Sequence, residues 1–197
     1  MNVIFLDIDG VLNSELFYRE RHKKRWLKPS TYFWWIKSKV KWVFNGFKYK
    51  SVSLANYKPP KRSQTFQYKF NRLKEETDPI RWKWVIELAK ETNSKICISS
   101  CWKYHFGYKN EEWWKKAFIL LGFEEGVFVG ITGDRKHLRG EEIEDWLKVN
   151  KYDNYVIIDD DSDMLMDQVQ HFFQTDNYVG LTPTTLYKIK RYLNKKN

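Results

Sequence analysis

At 197 residues the chain fits one domain, or one domain with an insertion, and is long enough to bury a core. No stretch reaches the roughly 18 uncharged apolar residues of a membrane span, and the first apolar run, cut by Asp7 and preceded by no basic segment, does not read as a secretion signal. Two cysteines, Cys97 and Cys101, make no disulfide framework and fit a reducing, cytoplasmic setting, while a net charge of +10 asks where the excess cations lie.

Val3-Ile4-Phe5-Leu6 is an apolar run too short for a helix, so a buried strand is expected near 3–7. It ends in Asp7-Ile8-Asp9-Gly10-Val11, where Gly10 permits a sharp turn. On an extended chain the two carboxylates would face opposite sides; on a turn they can converge on one phosphate-sized space. One can then attack phosphorus while the other moves a proton, and together they can hold a hard cation such as Mg2+. The competing reading is two solvated aspartates at a strand end.

Residues 14–77 differ in kind from the rest. They hold 17 Lys and Arg against 4 Asp and Glu, so the remainder of the chain is slightly acidic and the whole positive excess sits here. They also hold 15 aromatic residues. Lys37, Lys39 and Lys41 alternate with apolar residues just after Trp34 and Trp35. Lysines can neutralise phosphates, and aromatic faces stack on bases for about 1–3 kcal/mol each. A nucleic acid or nucleotide phosphate is therefore the expected ligand of this segment. The aromatics could also form the segment's own small core, or lie on a membrane surface with Lys among the headgroups.

Asp78-Pro79 then marks a helix start over 79–92. Strands follow near 95–99, 127–131, 155–159 and 171–175, with helices near 111–121, 140–149, 162–170 and 183–193. This alternation implies a parallel sheet with helices on both faces, an α/β domain that binds ligands at the carboxyl ends of its strands. Asp7, Ser99 and Asp159 all fall at such ends. Ser99 and Ser100 could equally cap the next segment. Arg139 opens the helix at 140–149, where it could add charge to the backbone donors of that end; Arg135 and Lys136 are its neighbours and rivals. Tyr155-Val156-Ile157-Ile158 leads into Asp159-Asp160-Asp161-Ser162-Asp163, four acids in five residues, which repel unless solvated or neutralised by a cation. The four histidines, His22, His105, His137 and His171, lack metal-ligand spacing; His105 and His137 flank the segments with Ser99 and Arg139 and could reach a substrate.

The string from Val3 to Asn13 resembles the first motif of the haloacid dehalogenase-like (HAD) phosphohydrolases. Ser99-Ser100-Cys101-Trp102-Lys103 is similar to the SSxW(R/K) segment of one HAD branch, and Arg139-Gly140-Glu141-Glu142-Ile143 and Gly180-Leu181-Thr182 resemble further stretches of it. That branch includes phosphatase domains associated with RNA repair and resembles the phosphatase half of phage polynucleotide kinase-phosphatases. The resemblance implies a HAD-like Rossmannoid core of residues 1–13 and 78–197, with 14–77 as a cap inserted after the first strand. It implies Asp7 as nucleophile and Asp9 as general acid/base. Ser99 or Ser100, with Arg139, would hold the phosphate. Asp7, a main-chain carbonyl at Asp9, Asp159 and Asp160 would bind Mg2+, with Asp163 as a possible helper. The expected activity is a Mg2+-dependent phosphomonoesterase acting on nucleic-acid 3′-phosphate ends. The rivals are a nucleotidase or other small-molecule phosphatase, and a silent HAD-fold protein that binds nucleic acid, a membrane or a protein through its insertion.

Overall fold

In a computed structural model of the protein, residues 1–26, 65–104, 110–133 and 138–195 are described. Five strands form one sheet, β1 (Asn2–Leu6), β2 (Ser94–Ile98), β3 (Phe128–Ile131), β4 (Asn154–Asp159) and β5 (Phe172–Gln174). All pairings are parallel and the order is β3-β2-β1-β4-β5. The chain builds outward from β1 to β3, then returns to the other side of β1 for β4 and β5. The β1–β4 boundary is therefore the point where strand order reverses, and open parallel sheets bind ligands at the carboxyl ends beside such a point.

The helices follow from capping and periodicity. α1 (Glu15–Trp26) and α2 (Phe66–Glu76) lie towards the two ends of the long segment between β1 and the next helix. α3 (Pro79–Glu91) starts where Asp78 accepts the Ile80 N–H at 2.8 Å and Pro79 occupies the first turn. α4 (Glu111–Leu121) runs from an Asn110 cap to Gly122, whose φ of 103° closes the helix in the left-handed region. α5 (Arg139–Val149) and α6 (Pro183–Leu193, capped by Thr182) complete the set.

Both faces of β1 are covered, which is why it reads as a continuous apolar run. Ile4 and Leu6 join Ile96, Ile98, Val156 and Ile158 in a core roofed by α3, α4 and α6. Val3 and Phe5 point the other way, to Cys97, Ile157 and the α5 residues Ile143 and Trp146. Phe70 and Leu73 of α2 also enter the larger core, and Phe66 meets Trp113 at 5.6 Å between ring centroids. The Asp78 N–H donates to the Leu12 carbonyl at 2.8 Å, so the chain returns from the long segment beside the point where it left. Arg81, buried, donates to Ser14 Oγ at 3.2 Å and to the Val179 carbonyl, tying α3 to the base of α1 and to the last loop.

One expected element is different. Residues 162–170 do not form an α-helix; Ser162–Leu165 is irregular and Met166–His171 is a 3₁₀ segment. The polar groups there are committed to the start of α5. The Asp163 carboxylate accepts the Arg139 N–H at 3.0 Å, its carbonyl accepts the Gly140 N–H at 3.1 Å, and the Gln168 side chain donates to the Gly140 carbonyl at 2.8 Å. A Cβ on Gly140 would lie 2.6 Å from the Leu165 nitrogen, so the segment lies flat against that glycine. Among the described residues no helix is long and apolar enough to cross a membrane.

Candidate active site

The parallel register sets the geometry. Leu6 pairs with Ile98 on one side and Ile158 on the other, so the next rung of the sheet carries Asp7, Ser99 and Asp159 side by side. The Asp7 N–H donates to the Ile158 carbonyl at 3.0 Å and the Ser99 N–H to the Leu6 carbonyl at 3.1 Å, extending the ladder through the rung. Beyond it the chain coils tightly: the N–H groups of Val11, Leu12 and Asn13 all point at the Ile8 carbonyl, at 3.3, 2.9 and 3.2 Å. Gly10 takes a φ of +62° within that coil.

Asp7 and Asp159 are buried and Asp160 is half-buried. One oxygen from each of the three lies within 4.8 Å of the others. Burial, more than any neighbour, pushes Asp7 up to about 6 and Asp159 up to about 8. Burial raises Asp160 as well, helped by Asp161. Arg139 is the cation on the spot. Its Nη1 is 3.4 Å from Asp7 Oδ1 and donates to the Ser99 carbonyl, while its Nε is 2.8 Å from Asp159 Oδ2. Burial alone would lower the Arg139 pKa, but Asp7, Asp159 and Asp163 raise it on balance. One guanidinium cannot satisfy this many carboxylate oxygens: among the described residues, buried Asp159 Oδ2 has no properly aligned donor. Three hard oxygen donors, crowded, buried and under-compensated, fit a small divalent cation of the Mg2+ type.

The serines take different positions. The Ser100 hydroxyl lies beside Asp7 and lowers its pKa, and its Oγ accepts the Trp102 N–H at 3.3 Å. Ser99 Oγ is buried without a hydrogen-bond partner among the described residues. Asp9 sits outside the three-carboxylate group. It accepts from Trp102 Nε1 at 2.9 Å and from Asn13 Nδ2 at 2.8 Å, with Cys101 Sγ 3.6 Å away. Burial and the charges of Asp7 and Asp9 raise the Cys101 thiol to about 11, which makes it a poor nucleophile. Asp163 caps the start of α5.

Several expected residues lie outside the described residues: Trp34, Trp35, Lys37, Lys39, Lys41, His105, Arg135, Lys136 and His137. His22 is exposed on α1, and His171 lies at the β5 side of the sheet, where its Nδ1 is 2.7 Å from the Tyr192 hydroxyl.

The site also contains residues that sequence reasoning did not single out. Asn13 and Trp102 were legible only as letters within motif strings. Lys103, buried, lies between Thr132 Oγ1 at 2.6 Å and the Glu142 carboxylate, which also accepts from the Tyr104 hydroxyl at 2.6 Å. Burial lowers the Lys103 pKa and Glu142 opposes that. This pair joins the turn after β2 to the helix that presents Arg139. Its partners are 39 residues apart, so no local pattern announces them.

No curated protein and no solved structure matches this chain. A family model does, over residues 3–186, and its span takes in every strand and the whole rung of Asp7, Ser99 and Asp159. The chain therefore belongs to the family described as the HAD domain in Swiss Army Knife RNA repair proteins, and is a HAD-type phosphatase.

Proposed function

We propose that this phosphatase is Mg2+-dependent and removes the 3′-phosphate from nucleic-acid ends. The observation that carries the chemistry is the single rung of Asp7, Ser99 and Asp159 at the switch point of the sheet, bridged by Arg139. The RNA-repair description of the family supports the substrate class, and the basic, aromatic composition of residues 14–77 agrees with it.

In this reading an Asp7 oxygen attacks phosphorus as the bond from phosphorus to the ester oxygen breaks, giving an aspartyl phosphate. The leaving oxygen takes a proton from Asp9. Water then attacks the aspartyl phosphate, Asp9 takes its proton, and Asp7 and inorganic phosphate are released. Arg139 and the unspent Ser99 hydroxyl hold the phosphoryl oxygens where charge accumulates, while Ser100 holds Asp7 in line. Asp7, Asp159 and Asp160 would hold Mg2+, which supplies charge neutralisation for the phosphoryl group when bound. The reaction would run in the cytoplasm.

Purified full-length protein offered 3′- and 5′-phosphorylated RNA and DNA oligonucleotides and mononucleotides tests this directly. Phosphate release should be fastest from 3′-phosphorylated oligonucleotides, stop in EDTA and fall with salt as condensed counterions compete. Reversing Lys37, Lys39 and Lys41 to Glu together should weaken turnover of oligonucleotides more than that of a small chromogenic phosphate. Equal turnover of mononucleotides and oligonucleotides, unmoved by salt, would favour the small-molecule reading. Binding of oligonucleotide without release of phosphate would favour a silent binding protein.

A further inference from the structure

Asp9 is held by two donors of fixed direction, one on each oxygen, with the weaker Cys101 thiol as a third on Oδ2 at 3.6 Å. An indole nitrogen can only donate, so Trp102 Nε1 gives its proton to Asp9 Oδ2 at 2.9 Å. The Asn13 amide is oriented by a second group that can only donate: the Gly10 N–H points to Asn13 Oδ1 at 3.0 Å. Asn13 Nδ2 must then face the other way, where it donates to Asp9 Oδ1 at 2.8 Å and to the Tyr18 hydroxyl at 2.9 Å. The Tyr18 proton is left to go to the Glu76 carbonyl at 3.3 Å. Every proton in the chain from Glu76 to Asp9 is thereby assigned.

Asp9 is only half-buried, and water could satisfy it without either side chain. Instead one short turn serves both aspartates of the first motif. Trp102 donates to Asp9, the Trp102 N–H returns to Ser100 Oγ at 3.3 Å, and the Ser100 hydroxyl beside Asp7 favours the ionised form of that carboxylate. Both groups come from one stretch, Ser100 and the 3₁₀ turn Cys101–Tyr104 that follows it after β2. A carboxylate gripped on both oxygens keeps one rotamer, and holding a proton donor within reach of the leaving oxygen is worth far more than its mere presence.

We infer that Trp102 and Asn13 are positioning residues that hold Asp9 in the orientation from which it protonates the leaving oxygen. The inference rests on the acid/base role proposed for Asp9. It predicts a dependence on the leaving group. A poor leaving group, such as an alkoxide or phenoxide, needs the proton as the bond from phosphorus to oxygen breaks. A dinitrophenoxide departs without it.

The experiment compares kcat/KM of the wild type and Trp102→Phe across dinitrophenyl, nitrophenyl, phenyl and alkyl phosphates, with Mg2+ present. This ratio reports the attack step, before the phosphoenzyme is hydrolysed. Phe keeps the ring and removes the donor. The loss should grow along the series, so that phenyl phosphate suffers about tenfold more than dinitrophenyl phosphate. Asn13→Ala, which removes the donor to Asp9 without adding a second carboxylate beside it, should steepen the same dependence and carries the test if Trp102→Phe does not fold. A uniform loss across the series, or none, in the folded variants overturns the inference and leaves the phosphatase reading standing. A wild type without any Asp7-dependent turnover overturns both.

Discussion

A Cβ on Gly10 would stand 2.2 Å from the Asp160 carboxyl carbon. The glycine is therefore needed twice, once for its φ of +62° and once for the room it leaves a carboxylate of the proposed metal site. Gly10→Ala should lose about 1–2 kcal/mol from backbone strain alone. It should also displace Asp160 and raise the Mg2+ concentration needed for half-maximal activity. Urea unfolding and a Mg2+ titration of turnover check the two effects separately. An unchanged Mg2+ requirement in a folded variant would detach Asp160 from the metal.

Arg139 reaches both Asp7 and Asp159 from the start of α5. Arg139→Ala should lower kcat by about 100-fold or more, the scale seen when one preorganised donor to a developing charge is removed. Arg139→Lys should recover little, because an ammonium cannot span two carboxylates as the planar fork does. Recovery of full activity by Lys would mean that charge alone, without the bridge, is what the site requires.

The carboxylates give metal-free protein a pH signature. Asp7 and Asp159 are raised to about 6 and about 8, so the folded state binds their protons more tightly than the unfolded chain does. Their contribution to stability is fully present below the unfolded value of about 4 and is lost as pH rises through the folded values. In EDTA the Tm should therefore fall between about pH 5 and about pH 9. Asp159→Asn should flatten the upper part of that fall, which separates it from the half-buried His171, whose lowered pKa acts in the opposite direction. Mg2+ should raise Tm most at the alkaline end, where the site is ionised. A Tm that rises with pH in EDTA, or is unaltered by Asp159→Asn, would contradict this account of the acidic cluster.

Lys103 and Glu142 form a buried pair between the turn after β2 and α5. Lys103→Met should destabilise by about 3–5 kcal/mol, because it strands a buried carboxylate. Replacing both residues together with apolar side chains should cost less than the single change. Equilibrium unfolding of the two variants checks the order, and equal losses would contradict it.

Much of this was legible in the sequence for a physical reason. Parallel strands buried on both faces appear as apolar runs, so β1, β2 and β4 stand out, with the acids that end β1 and β4 and the serines that end β2. Asp78-Pro79 and Thr182-Pro183 announce their helices through groups within three residues of each other. What local patterns cannot show is a contact made across the fold. The stretch from Ser162 to Leu165 has helix-compatible spacing, but Asp163 is committed to the N–H groups of Gly140 and Arg139, more than 20 residues earlier in the chain. Trp102 is legible only as a letter of a motif string, and its contact with Asp9, 93 residues away, exists only once β1 and β2 are neighbours. The Lys103–Glu142 pair is hidden in the same way.

The most direct test of the central claim is to trap the phosphoenzyme. Wild-type protein, Mg2+ and an oligonucleotide carrying a labelled 3′-phosphate are mixed, quenched in acid within the first turnovers, and digested for peptide mapping. The account predicts an acid-stable, base-labile label on the peptide containing Asp7, and neither label nor phosphate release with Asp7→Asn. Phosphate released at the wild-type rate by the Asp7→Asn protein, with no label on that peptide in either, would contradict it.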